Sequence, residues 1–210
     1  MAKKKFKAET ERLMDLMINS IYSHKEIFLR EIVSNASDAI DKMNYRMMTD
    51  PSIGVSKDDL RIDVAVDKDE RTITVSDNGI GMSAKDMEKN LGMIAYSDSS
   101  EFRKNLEEGT DSDVIGKFGV GFYSAFMVSD KVTVVSKAYG EDEASIWESA
   151  GADGYTIRKG ERGSAGTDVI MHIKNDAGEN DYSEFLDPVR LKELIVNYSD
   201  YIRWPIYMDV

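Results

Sequence analysis

Four polar residues, Glu31, Asn35, Asp38 and Lys42, recur at helical spacing inside the stretch from Glu26 to Met43. At about 100° of rotation per residue they fall within an arc of roughly 60°, so an acid, an amide, a second acid and an amine form one line along one helix. The adjoining flank carries Phe28, Leu29, Ile32, Val33, Ala36, Ala39, Ile40 and Met43, a wide apolar face. Such a helix is expected to be pinned into a core with its polar line at the rim, a position that suits a cleft. Taken alone, the same residues also read as an exposed i,i+4 polar pair and an ordinary ion pair worth about a few tenths of a kcal/mol. Two glycine motifs further along favour the cleft.

The first, Asp77-Asn-Gly-Ile-Gly81, puts an acid and two glycines where a strand hands over to a loop. By itself it fits a tight turn or a calcium-loop fragment, but the EF-hand pattern is missing. The second, Gly116-Lys-Phe-Gly-Val-Gly121, spaces its glycines as G-x-x-G-x-G. That is the reverse of the dinucleotide fingerprint, and the Lys-Ser/Thr ending of a Walker A loop is absent. Three glycines ahead of an apolar run still bring backbone N–H groups close to an anion at a helix N-terminus, although a tightly packed turn is the default for such a motif. In order, E-x-x-x-N, D-x-G-x-G and G-x-x-G-x-G within about 90 residues are far more specific than any one of them.

The elements that must position these groups can be read from periodicity. Residues 10–22 are expected to form a helix behind Thr10 as N-cap, packed under the central helix, with Ser23 as a second cap and Lys25-Glu26 opening the central helix. The run from Thr49 to Gly54, with Pro51 inside it, should end that helix. Ile62, Val64 and Val66, then Ile73 and Val75, alternate with polar residues across an acidic turn and predict a β-hairpin. Residues 83–94 read as a helix capped by Ser83, and the polar stretch from Tyr96 to Gly116 has the composition of either a lid or a long surface loop. Val120 to Val128 predicts a buried helix. Strands are expected at Val132–Ser136, Ser145–Ser149, Tyr155–Arg158 and Thr167–Lys174, and a helix opening at Asp187-Pro188. The chain then enters a strand pattern from Trp204 to Val210 that is still open at its last residue, as in a piece of something longer. Strands in two groups with helices between them argue for an α+β layered domain.

Composition narrows the function. With 210 residues and 41% hydrophobic content, one core and one domain are expected. A net charge of −12 argues against a nucleic-acid surface, so any bound polyphosphate must be held by local donors or a metal ion. No cysteine and only two distant histidines exclude disulfides and a zinc cluster. There is no signal-peptide pattern and no run long enough to span a bilayer, so a cytoplasmic protein without a membrane or nucleic-acid partner is expected.

The three motifs in this order resemble the ATP-binding domain shared by DNA gyrase, histidine kinases, MutL proteins and the heat-shock protein 90 chaperones, the GHKL superfamily. The phrases from Glu31 to Ala39, Val75 to Met82, Ile115 to Ser124 and Ile146 to Ser149 are similar to the heat-shock protein 90 family, bacterial HtpG type, over essentially the whole chain. The resemblance implies a two-layer α+β sandwich of Bergerat type, a mixed, largely antiparallel sheet covered on one face by helices. It makes residues 1–210 one N-terminal ATP-binding domain, with a lid at about 92–121 and the middle and C-terminal domains lying beyond this chain. It also implies ATP or ADP and Mg²⁺ as ligands, client proteins as partners, and homodimerisation through the segment from Lys4 to Thr10. Glu31 would be the general base toward the attacking water. Asn35 would coordinate Mg²⁺, with Asp38 continuing the line and Lys42 near the phosphates. Asp77 would accept from the adenine amino group, supported by Thr167. Gly79 and Gly81 would let the backbone approach the base, Met82 and Phe122 would give apolar contact, and Asn90 would reach the sugar. Gly116, Gly119, Val120 and Gly121 would wrap the phosphates. Where many members of the family read Ile-Ala-Lys-Ser-Gly-Thr, this chain has Tyr96 and Asp98 in place of the lysine and glycine, so no phosphate role is given to Tyr96. The alternatives are a histidine-kinase or type II topoisomerase ATPase domain and a nucleotide sensor without turnover.

Overall fold

The structure, a computed structural model, describes residues 24–50, 53–92 and 121–210. The helix expected over 10–22 with its caps Thr10 and Ser23, the interior of the expected lid with Tyr96 and Asp98, and Gly116, Gly119 and Val120 lie outside the described residues.

Alternation of apolar and polar residues builds the hairpin at the centre of the site. Strands β1 (Ile62–Asp67) and β2 (Thr72–Asp77) pair antiparallel with Val64 opposite Val75. The Asp67 carboxylate closes their turn by accepting from the backbone of Asp69 and Glu70, 2.9 Å each. Because side chains alternate across a strand, this register sends Ile62, Val64, Ile73 and Val75 into one core face. Strands β3 (Ser129–Lys137), β4 (Ala144–Ser149), β5 (Tyr155–Gly160), β6 (Gly166–Ile173) and β7 (Ile206–Met208) complete a seven-stranded sheet in the order β5-β4-β3-β6-β2-β1-β7. Every pairing is antiparallel except β1 with β7, so the sheet is mixed and open, as an α+β sandwich requires.

The central helix α1 (Ile27–Thr49) lies on the apolar face of this sheet and buries Phe28, Leu29, Ile32, Val33, Ala36, Ile40 and Met43. It ends at Asp50, ahead of Pro51. Helix α2 (Ala84–Asn90) is shorter than the 83–94 expected. Ser83 and Asp86 form a reciprocal capping box at its start. Helix α3 (Pro188–Tyr198) opens as its sequence predicts, with Asp187 accepting from Val189 N at 3.1 Å and Pro188 in the first turn, where the missing N–H costs nothing. Phe28 and Phe185 meet edge to face at 5.2 Å and close the core beside α1.

Two expectations change. The apolar run after the second glycine motif is a 3-10 turn, Gly121–Met127, rather than an α-helix. Ser124 donates to Gly121 O at 2.5 Å and Ser129 donates to Ala125 O, so hydroxyls take carbonyls there, and seven residues sustain the tighter i→i+3 pattern. The terminal strand is also not open at the last residue: it pairs with β1 only from Ile206 to Met208.

Candidate functional site

Of the two glycines after β2, Gly79 is pressed against α1 and Gly81 against β3. Ile80 N donates to Ala39 O at 3.0 Å, using the second lone pair of a helical carbonyl. A Cβ added at Gly79 would stand 2.6 Å from Ala39 O and 2.7 Å from Ile40 N, so the loop after β2 reaches the helix only because residue 79 is glycine. On its other side Tyr139 N donates to Ile80 O at 2.8 Å, and Met82 N donates to Ser136 Oγ at 2.8 Å. Gly81 has φ +66° and lies directly over Lys137 O, a conformation and a clearance that an L side chain does not allow. The close approaches of Gly79 and Gly81 are therefore to the protein's own backbone, which requires glycine at both positions independently of any ligand. Asn78 turns outward, accepting from Arg61 N at 2.8 Å and donating to Asp59 O at 2.6 Å.

That staple fixes Asp77. Its side chain ends β2 opposite Thr167 of β6, with only 5% of the residue exposed. One carboxylate oxygen accepts from Gly79 N at 2.8 Å. Burial pushes the carboxyl up to about 7, and the Gly79 N–H, the Arg162 guanidinium and the Thr167 N–H oppose that rise while Asp168 adds to it. A buried carboxylate that is only partly neutralised by its surroundings is a strong acceptor for an N–H donor. Beside it Ser136 Oγ donates to Gly166 O at 2.9 Å and lies 2.8 Å from Thr167 Oγ1. A serine hydroxyl has one hydrogen, so Thr167 must be the donor in that pair and keeps its own lone pairs for another partner.

Eight residues before Ala39 on α1, about 12 Å along the axis, stands Glu31, 6% exposed. Arg30 Nη2 donates to its Oε1 at 2.7 Å and Arg30 Nε at 3.1 Å. The last glycine of G-x-x-G-x-G covers its other side: a Cβ at Gly121 would press on Glu31 Oε2 and stand 3.2 Å from Glu31 Cδ. Phe122 follows, buried, edge to face on Trp147 at 5.5 Å. Asn35 is exposed on α1 between Glu31 and Ala39, and Asp38 and Lys42 are exposed on the same line. Partial burial raises the Asp38 carboxyl above its usual range, Lys42 opposing and Asp41 adding to the rise.

Glu31 with Gly121 thus marks one station along α1, and Gly79 with Asp77 meets the helix about two turns further on, with Asn35 between them. Met82 is half-buried against the core, and Asn90 is exposed where α2 ends. Ser136, Arg162 and Asp168 belong to this site and were not apparent from the sequence, since their contacts are made across strands with no local motif. Among the described residues no three His, Asp or Glu side chains gather to hold a metal ion. Asn35, exposed on α1, offers one amide oxygen, the hard donor type that would suit a divalent cation.

Residues 22–154 match the family described as Histidine kinase-, DNA gyrase B-, and HSP90-like ATPase. The chain is 57% identical over 210 residues to "Chaperone protein HtpG" of Bacillus licheniformis, 58% over 209 to that of Bacillus subtilis, and 56% over 211 to that of Clostridium perfringens. Each match covers 100% of this chain but only 34%, 33% and 34% of those proteins, so the chain spans about a third of the length of the curated relatives it matches. No helix among the described residues is long and apolar enough to cross a membrane. With that family matched over residues 22–154, well over half of its length, this chain belongs to the histidine kinase-, DNA gyrase B- and HSP90-like ATPase family.

Proposed function

We propose that the chain binds ATP between α1 and the sheet and hydrolyses it to ADP and phosphate, as the N-terminal ATPase unit of an HtpG-type chaperone in the cytoplasm. The observation that carries this reading is the buried Asp77 carboxylate, held by Gly79 N and stapled through Ile80 to the helix that also bears Glu31 and Asn35. Adenine offers an amino group at the position where guanine has an oxygen, so an acceptor-only carboxylate at the pocket floor selects adenine. Thr167, with lone pairs left by its bond to Ser136, supports the same edge. Met82 and Phe122 give the base apolar contact, and Asn90 reaches the sugar.

At the other station Glu31 accepts a proton from the water that attacks the γ-phosphate, the role that a carboxylate on a rigid helix can fill. Asn35 holds Mg²⁺, which when bound supplies positive charge to the phosphate oxygens of an otherwise acidic domain. Gly116, Gly119, Val120 and Gly121 present backbone N–H groups to the phosphates, Lys42 adds its charge, and residues 92–121 close as a lid. Lid closure, dimerisation through Lys4 to Thr10 and work on client proteins belong to the longer protein, where an arginine from a following domain completes the site. Turnover by this chain alone is therefore slow. The relatives' shared chaperone name favours this reading over a kinase or topoisomerase ATPase, and the charge of −12 disfavours a DNA machine.

Calorimetric titration with ADP and Mg²⁺ tests the adenine pocket. Asp77→Asn is expected to lose at least about 100-fold in affinity, because the amide's N–H₂ faces the adenine amino group or the carboxylate charge is gone. Unchanged affinity in the folded variant contradicts the assignment.

A further inference from the structure

Arg162 stands in the turn between β5 and β6, away from every motif that the sequence singled out, and its side chain is only 13% exposed. Its guanidinium is almost fully committed. Nη2 donates to Asp77 O at 2.9 Å, Nη1 donates to Ser164 O and Ala165 O at 2.7 Å each, and Nε and Nη2 both reach the Asp168 carboxylate at 3.2 Å. The planar fork thus clamps three carbonyls and one carboxylate at once, a geometry lysine cannot reproduce. The backbone is shaped to admit it. Gly166 has φ +129°, and a Cβ there would run into Asp77 O and stand 2.8 and 2.9 Å from Arg162 Nη1 and Nη2. Arg162, Gly166 and Asp168 therefore act together on the end of β2.

We propose that Arg162, oriented by Asp168, is a positioning residue for nucleotide binding that holds the Asp77 backbone by its carbonyl and sets a fixed positive charge against the Asp77 carboxylate. The proposal rests on the reading of Asp77 as the adenine acceptor. Among the described residues, the charged groups acting on Asp77 are Arg162 and Asp168, of opposite sign. From α1 the loop meets Ala39 and Ile40, and from β3 it meets Ser136 and the Lys137 carbonyl. Asp38 and Lys42 are exposed on α1. Removing Arg162 leaves Asp168 unopposed, so Asp77 holds its proton to higher pH and accepts less well around neutrality.

The test is calorimetric titration of the 210-residue chain with ADP and Mg²⁺ from about pH 6 to about pH 9, comparing wild type, Arg162→Gln, Arg162→Lys and Asp77→Asn. Taking the variant-to-wild-type ratio at each pH removes the titration of the nucleotide itself. Arg162→Gln is expected to bind about tenfold more weakly at the acid end and to converge, at the alkaline end, on the small deficit that loss of the fork leaves. Arg162→Lys keeps the charge and loses the fork, so its deficit is small and flat with pH. An Arg162→Gln ratio that is flat, or near one throughout, overturns the proposal. If Arg162→Gln does not fold, a lysine variant with a steep acid-side loss overturns it, and one with a small flat deficit supports it. Wild type that fails to bind ADP, or Asp77→Asn that binds as wild type, instead overturns the adenine reading beneath it.

Discussion

Gly121→Ala should disable hydrolysis while sparing nucleotide affinity. Gly121 is buried, and the methyl group built on its backbone would overlap Glu31 Oε2 deeply and stand 3.2 and 3.3 Å from its Cδ and Cβ. Ordinary van der Waals contact begins at 3.4 Å, so one of the two must give. Glu31 sits on α1, whose backbone is fixed by the core. Its side chain, held at Oε1 by Arg30, is the part that can move. Restoring contact requires the carboxylate to shift by about 1 Å, a misplacement that can cost about 100-fold in rate for a positioned catalytic group. The backbone N–H of residue 121 is retained, so the phosphates keep that donor and ADP affinity should stay within about threefold. Overpacking at this site should lower stability by about 1–3 kcal/mol, which thermal melts would register. The assay is phosphate release from radiolabelled ATP under single-turnover conditions, beside calorimetric ADP binding. Wild-type turnover in a folded Gly121→Ala chain would refute the placement of the base against this glycine.

Glu31→Ala is expected to leave ADP affinity nearly intact and to reduce phosphate release by at least about 100-fold, as loss of a general base does; surviving turnover removes Glu31 from that role. Asp77 also predicts a pH signature in stability. Its carboxyl is raised by burial from an ordinary 3.8 to about 7, so the folded state binds its proton more tightly than the unfolded chain does. That contribution is present in full below about pH 4 and is lost as pH rises through about 7. Asp77→Asn should therefore gain stability relative to wild type between about pH 4 and about pH 7, reaching a few kcal/mol at the alkaline end. Denaturant melts that show no such divergence would contradict the assigned environment of Asp77.

The parts of the fold that were legible in the sequence are those set by local rules. Alternation placed Ile62, Val64, Ile73 and Val75 on one face, and the Asp187-Pro188 pair marked the start of α3, because a strand's period and a helix's first turn are properties of neighbouring residues. The line on α1 was legible for the same reason, and Glu31 is buried at its start while Asn35 remains exposed. Local rules failed where hydroxyls compete with the backbone, as in the 3-10 turn from Gly121 to Met127. They also failed where partners come from distant strands. Ser136 shares its hydroxyl among Met82, Gly166 and Thr167, and Arg162 reaches back 85 residues to Asp77. No periodicity carries such contacts. Gly79 and Gly81 were read as room for a base, yet their geometry is explained first by the backbone of α1 and of β3.

A crystal structure of the chain with ADP and Mg²⁺ tests the central claim most directly. The adenine amino group is expected to donate to the Asp77 carboxylate, with the diphosphate running along α1 toward Glu31 and the ion held by the Asn35 amide. Nucleotide density at another place on the sheet, or an ion remote from Asn35, would contradict the account.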